Sequence, residues 1–160
     1  MKPGDHPEFF RFPPPEGRSR ESSIVLGTDG RFFHDGAPVE HPGMQRAFAS
    51  WLRRHPDDGR YILSNGYDWT YLTVEGPAYF VRGVLGRGET PELELLDGRV
   101  LPLEARSLRC DAEGRLWLRL PEGEARFTGA AQRALEPWLS EQEGRVGLQI
   151  AGQFSPIQGS

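Results

Sequence analysis

Cysteine is nearly absent. Cys110 stands alone in 160 residues, which excludes an internal disulfide framework and suits a reducing compartment. Long hydrophobic runs are missing too. No stretch approaches the roughly 20 apolar residues that a membrane span requires, and the opening "MKPGDHPEFFRFPPPEGRSR" has no apolar segment of signal-peptide length. The expectation is a soluble, cytoplasmic protein with no membrane partner. Walker loops, serine-hydrolase elbows and dinucleotide fingerprints are also absent. "LGRGET" (Leu85 to Thr90) has a Gly-x-Gly but no third glycine and no helix behind it, so it reads as a turn. A net charge of −4 gives no field to attract nucleic acid, so none is expected as a partner. No cofactor is implied.

Turn formers are plentiful: 20 glycines and 14 prolines among 160 residues point to many short strands. A chain this long buries roughly 68–70% of its unfolded surface, so it needs no metal or disulfide for stability. Four Trp and nine Phe supply core material.

An acid-Gly-Arg triplet recurs at Asp29-Gly30-Arg31, Asp58-Gly59-Arg60, Asp97-Gly98-Arg99, Glu113-Gly114-Arg115 and Glu143-Gly144-Arg145. An apolar run follows each one: "FF", "YIL", "VLPL", "LWLRL", "VGLQI". Asp-Gly suits the positive-φ positions of tight turns, and the following residues are strand formers. Each triplet therefore predicts a turn that enters a strand. A sixth, Glu16-Gly17-Arg18, has no such run behind it.

"QRAFASWL" (Gln45 to Leu52) returns as "QRALEPWL" (Gln132 to Leu139). In the first copy Met44, Ala47, Phe48, Trp51 and Leu52 form an apolar stripe at helical spacing, with Pro42 in the first turn and "HPDDG" as the stop. In the second, Ala131, Ala134, Leu135, Trp138 and Leu139 repeat those spacings. Thr128 is the expected N-cap, and Pro137 predicts a bend. Both helices lie between acid-Gly-Arg strands, which favours an internal duplication.

The expected fold is α+β, a mostly antiparallel sheet built from two repeated strand-helix-strand motifs with one amphipathic helix each. Residues 1–21 read as an extended, proline-rich arm whose "FFRF" docks on the body. Residues 22–90 form the first repeat with central strands, 91–150 the second repeat, and 151–160 a mobile tail.

At "DGRFFHDGAPVEHPGMQRAFASWLRRHPDDGRYIL" (Asp29 to Leu63) the chain resembles the bacterial domain-of-unknown-function family 1285. The likeness continues through "VEGPAYFV" (Val74 to Val81) and "RLWLRLPEGEARFTGAAQRAL", and covers about half the chain. The resemblance implies two repeated structural motifs and a role in signalling or ligand sensing. It implies no established activity and carries over no catalytic residue. Where members have a Thr-Pro segment after the first repeat, this chain has "SNGYDW".

Three features could carry chemistry. His34, Asp35, Glu40 and His41 have metal-ligand side chains, as a metal-assisted hydrolase would need, but their spacing also reads as a turn. Cys110 has no base in its pattern, and "SLRCD" reads as a strand end. Arg46, Arg53 and Arg54 with His55 give the first helix a basic side. That suits a solvated face, a small anionic ligand or an acidic protein surface, and not nucleic acid, because the helix aromatics lie on the stripe.

The richest stretch is "NGYDWTYLT" followed by "YFVR", which holds Tyr67, Asp68, Trp69, Tyr71, Tyr79 and Arg82. Alternation puts Trp69, Tyr71 and Thr73 on one strand face and Leu72 and Val74 on the other. That face is either a binding site or the joint between repeats. The reading is a non-enzymatic module that binds a small molecule or protein through Tyr67, Asp68, Trp69, Tyr71, Arg82, Arg53 and Arg54. A homodimer closed by an exposed aromatic strand is a further reading, so the expected state is monomer or homodimer.

Overall fold

A computed structural model describes residues 1–86 and 90–159. The expected Gly-x-Gly turn falls on residues 87–89 and lies outside them. The chain divides into two compact units, Met1–Ala78 and Tyr79–Ser160. The class is α+β, with two α-helices among the described residues.

In the first unit the strands are β1 (Val25–Leu26), β2 (Phe32–His34) and β3 (Ala37–Pro38), followed by helix α1 (Pro42–Trp51). Then come β4 (Leu52–Arg54), β5 (Tyr61–Ser64), β6 (Trp69–Tyr71) and β7 (Thr73–Val74). They make two sheets, ordered β3-β2-β1-β7 and β4-β5-β6. The β1–β7 pair is parallel and the others are antiparallel.

In the second unit the strands are β8 (Tyr79–Leu85), β9 (Glu92–Leu95), β10 (Val100–Pro102), β11 (Leu108–Cys110), β12 (Leu116–Leu120) and β13 (Gly123–Phe127). Helix α2 (Gly129–Leu135) precedes β14 (Leu139–Gln142), β15 (Arg145–Ile150) and β16 (Gln153–Pro156). The sheets run β10-β9-β8-β13-β12-β11, with β8 and β13 parallel, and β14-β15-β16. Leu93, Leu108, Leu116, Leu118, Leu135, Leu148 and Ile157 are fully buried in its core.

The simple strand-helix-strand repeat is therefore corrected. The sheets are mixed, and each helix leads into a three-stranded antiparallel meander instead of one returning strand. The strands ahead of the two helices sit in sheets of different size and order.

All five triplet turns behave as their chemistry requires. Gly30, Gly59, Gly98, Gly114 and Gly144 have positive φ, and the strand after each begins at or just beyond the arginine. In three of them the aspartate takes the backbone N–H two residues on: Asp29 from Arg31, Asp58 from Arg60 and Asp97 from Arg99.

Helix α1 begins at Pro42, as expected, with the His41 ring as its cap: Nδ1 accepts the N–H of Met44 at 3.2 Å. It ends at Trp51, earlier than "HPDDG". Leu52 turns extended and pairs with Leu63, so Arg53 and Arg54 belong to β4 and the expected basic helix side is not formed. Helix α2 is capped by the Thr128 side chain, which accepts Ala131 N–H at 3.1 Å. At Pro137 it tightens into a 3₁₀ turn over Glu136–Trp138.

Both ends depart in part from expectation. The arm opens with two 3₁₀ turns, Pro3–Asp5 and Pro7–Arg11, and is not extended there, while Phe10, 3% exposed, docks on Ile62 and Trp69 as expected. The tail is not free either. Strand β16 pairs along β15, and Ile157 is fully buried, because its apolar side chains complete the meander.

Candidate functional site

The aromatic strand is where the first unit concentrates its side-chain chemistry, but not as an open face. Trp69 is 6% exposed and shares a core cluster with Phe10 and Ile62. The rings of His55, Tyr71 and Phe10 lie 5.0, 5.1 and 6.0 Å from it. The Arg20 guanidinium stacks over it at 4.5 Å and binds Asp68 Oδ1 at 2.8 Å and the Trp69 carbonyl at 3.0 Å. Leu72, expected on the opposite, core-facing side, is buried between β6 and β7. A homodimer closed by an exposed aromatic strand is therefore not what Trp69 offers.

The cover over this cluster is the arm. The Phe10 carbonyl lies 3.0 Å from Nε2 of His55, whose Nδ1 accepts the N–H of Asp57 at 3.1 Å. Nε2 must then carry the proton and donate to Phe10. Arg11 binds both carboxylate oxygens of Asp57, at 3.1 and 3.0 Å, and Arg60 does the same to Glu21, at 2.9 and 3.0 Å. These hydrogen bonds hold both carboxyls below their ordinary range. Tyr71 donates to Asp58 at 2.6 Å, which lowers Asp58. Burial, followed by that carboxylate, raises the Tyr71 hydroxyl.

One edge of Trp69 is left for something else. A shallow cavity of about 180 Å³ is lined by Ile24, Phe48, Trp51, Leu63, Asn65, Asp68, Trp69 and Thr70. Beside it lies a polar groove of about 440 Å³, whose walls include Lys2, Asp5, Ser50, Arg53 and Ser64. The two share Trp51 and Asn65. The sequence explains the walls. The α1 stripe has no fully buried residue, so Phe48 and Trp51 are only half-covered by the unit's core. The Asn65-Gly66 turn swings Asn65 between the two spaces. Its Oδ1 is fixed by the N–H groups of Tyr67 and Asp68, both at 2.8 Å. Trp69 Nε1 is buried without a hydrogen-bond partner among the described residues, a state that costs about 1–3 kcal/mol.

Of the seven binding residues expected from sequence, Arg53, Asp68 and Trp69 line these spaces. Tyr67 projects outward, 66% exposed. Tyr71 is engaged by Asp58 and lies under Arg60, 3.7 Å from its ring centre. Arg54 bonds the Gly59 carbonyl and Tyr61. Arg82 belongs to the second unit and pairs with Glu94 at 2.8 Å. Sequence reasoning missed Asn65, Phe48, Trp51 and Lys2. The Asn-Gly pair was legible only as a turn, and the helix aromatics only as core.

The metal alternative is corrected by placement. His34 lies 3.7 Å from Asp35, Asp35 exchanges hydrogen bonds with Ser23, and the His41 nitrogen is taken by the helix cap. Among the described residues no three His, Cys, Asp or Glu side chains gather as a metal site. In the second unit, burial pushes the Cys110 thiol up, away from the nucleophilic thiolate.

Among the described residues, no helix is long and apolar enough to cross a membrane. No protein-family model matches the chain, and no curated protein matches it. Two solved structures are similar to it. One is a DUF1285 family protein from Silicibacter pomeroyi DSS-3, at TM-score 0.57 and 19% identity, covering 94% of this chain and 92% of that one. The other is a DUF1285 family protein from Shewanella baltica OS155, at TM-score 0.49 and 14% identity, covering 68% and 86%. The first likeness extends over nearly the whole chain, so the protein has the fold of a DUF1285 family protein, the family its sequence resembles.

Proposed function

We propose that the protein is a non-enzymatic binding module whose first unit takes a small molecule in the paired cavities beside Trp69. One observation carries this reading: two adjoining spaces, one walled mainly by apolar and the other by polar side chains, share Trp51 and Asn65. An apolar wall with a few convergent polar groups is the usual make-up of a ligand site. The binding residues are Arg53, Asp68 and Trp69, joined by Asn65, Phe48 and Trp51. One oxygen of Asp68, Oδ1, is held by Arg20 and by the backbone N–H of Trp69. The signalling role implied by the resemblance gains no support from the two solved relatives, whose names state no activity.

The test is to titrate a library of small fragments into the ¹⁵N-labelled protein and map the shifted signals. Hits should converge on Phe48, Trp51, Asn65 and Trp69. Hits that cluster elsewhere, or scatter evenly over the chain, would refute the site.

A further inference from the structure

We infer that the ligand of the paired cavities is an organic anion with a flat apolar body. The body would lie in the smaller space and the anionic group in the polar groove. This deepens the binding reading above and rests on it.

The argument is a count of hydrogen-bonding capacity in the walls. In the polar groove two cationic side chains, Lys2 and Arg53, stand against one carboxylate, Asp5. Asp5 Oδ2 takes the Lys2 backbone N–H at 2.9 Å, and at the edge of the smaller space Asp68 Oδ1 takes Arg20 and its neighbour's N–H. Asn65 Oδ1 takes two backbone N–H groups, and Ser64 Oγ takes that of Gly66 at 3.2 Å. The side-chain donors are less engaged. Because Asn65 Oδ1 is fixed, its NH₂ is the free end of the amide, and among the described residues it has no acceptor. Arg53 has no carboxylate partner among them; its guanidinium rests 4.5 Å over the Phe10 ring and faces the groove. The Lys2 ammonium lies 5.6 Å from the Tyr67 ring centre.

A groove that sets two cationic donors and the Asn65 amide against one carboxylate favours carboxylate, sulfonate or phosphate over amine. The smaller space sets the other half of the ligand. Phe48, Trp51, Leu63, Ile24 and Trp69 give it aromatic and aliphatic walls. At about 180 Å³ it lies below the roughly 300–1,000 Å³ of drug-sized pockets, so it suits a single ring system.

The test uses three probes that share one ring and differ in charge: indole-3-acetate, neutral 3-methylindole and cationic tryptamine. Each is titrated into the full-length, ¹⁵N-labelled protein while the Asn65 side-chain NH₂ and the Trp51 and Trp69 indole N–H signals are followed. Indole-3-acetate should bind about tenfold more tightly than the other two, the scale of one charge-assisted hydrogen bond. Arg53→Gln should weaken indole-3-acetate several-fold more than it weakens 3-methylindole, which removes most of that preference. Equal affinity for all three probes at these signals would overturn the anion assignment and leave the site intact. A preference for tryptamine would do the same. No shift from any probe at millimolar concentration would overturn both the anion assignment and the site.

Discussion

The buried ring of His55 holds the carbonyl of Phe10 at 3.0 Å and the amide of Asp57 at 3.1 Å, one on each nitrogen. A single side chain, itself 6% exposed, thereby joins the arm to the β4–β5 turn. His55→Leu keeps an apolar body in place but removes both partners. The Phe10 carbonyl and the Asp57 N–H then lose their bonds, at a cost of about 1–3 kcal/mol. Urea denaturation should show that loss, and hydrogen exchange at Phe9 and Asp57 should quicken. Unchanged exchange at both amides would mean the ring does not hold the arm.

The arm is also tied by charge. Arg11–Asp57 and Arg60–Glu21 are exposed two-point ion pairs, and both carboxyls lie below their ordinary range. A carboxyl whose pKa is lowered by folding stabilises the fold fully above its unfolded value, about 4. That contribution is lost as pH falls through the folded value. Docking of residues 3–12 should therefore weaken below about pH 4, and also in 1 M salt, where exposed pairs are screened. Exchange protection of the Phe9 amide, measured from pH 6 to pH 3, tests this. Protection that stays flat over that range would show that burial of Phe10 alone keeps the arm in place.

These ties mark the limit of what the sequence made legible. Local chemistry read well. The triplet turns, the Thr128 cap, the proline start of α1 and the end of α2 just ahead of Pro137 each depend on a few adjacent residues. What failed was decided by contacts distant in sequence. Leu52 fits a helical stripe as well as a strand, and only its pairing with Leu63 settles the matter. His55 in "RRHPDDGR" reads as a loop residue until Phe10, 45 positions away, covers it. Trp69 stands out in the sequence as an aromatic on a strand, but its burial under the arm is a tertiary fact. The Asn65 amide could not be seen as a spare donor before its oxygen was placed.

Gly4 sits against the same groove by backbone contact. Its N–H donates to the Gly66 carbonyl at 2.8 Å, and an added Cβ would lie 2.8 Å from Gly66 Cα. Both neighbours are main chain, so no flexible side chain can yield. Gly4→Ala should cost about 1–3 kcal/mol, the usual range for a methyl forced into a packed site. It should also free the Pro3–Asp5 turn. The Gly4 amide should lose exchange protection while Leu26 and Ile62 keep theirs. A variant with full protection at Gly4 would show that the turn can shift without undocking.

In the second unit, Asp111 collects donors as no other carboxylate described here does. Oδ2 accepts the Trp117 indole N–H at 2.9 Å, and Oδ1 accepts the N–H groups of Glu113 and Arg115, both at 2.9 Å. Those bonds, the indole's foremost, hold its carboxyl far below the ordinary range. Its stabilising effect is thus complete above about pH 4, the unfolded value, and is lost as pH falls toward the folded value. Asp111→Asn keeps the shape but not the capacity. In one orientation the new NH₂ faces the indole N–H, and in the other it faces two backbone donors, so one set loses its acceptor. The variant should unfold at lower urea than the parent at pH 7. The gap should narrow at pH 2.5, where the unfolded parent has taken up a proton on this carboxyl that the folded parent still excludes. A gap that stays constant from pH 7 to pH 2.5 would show that the hairpin is held by its backbone pairing and not by the charge on Asp111.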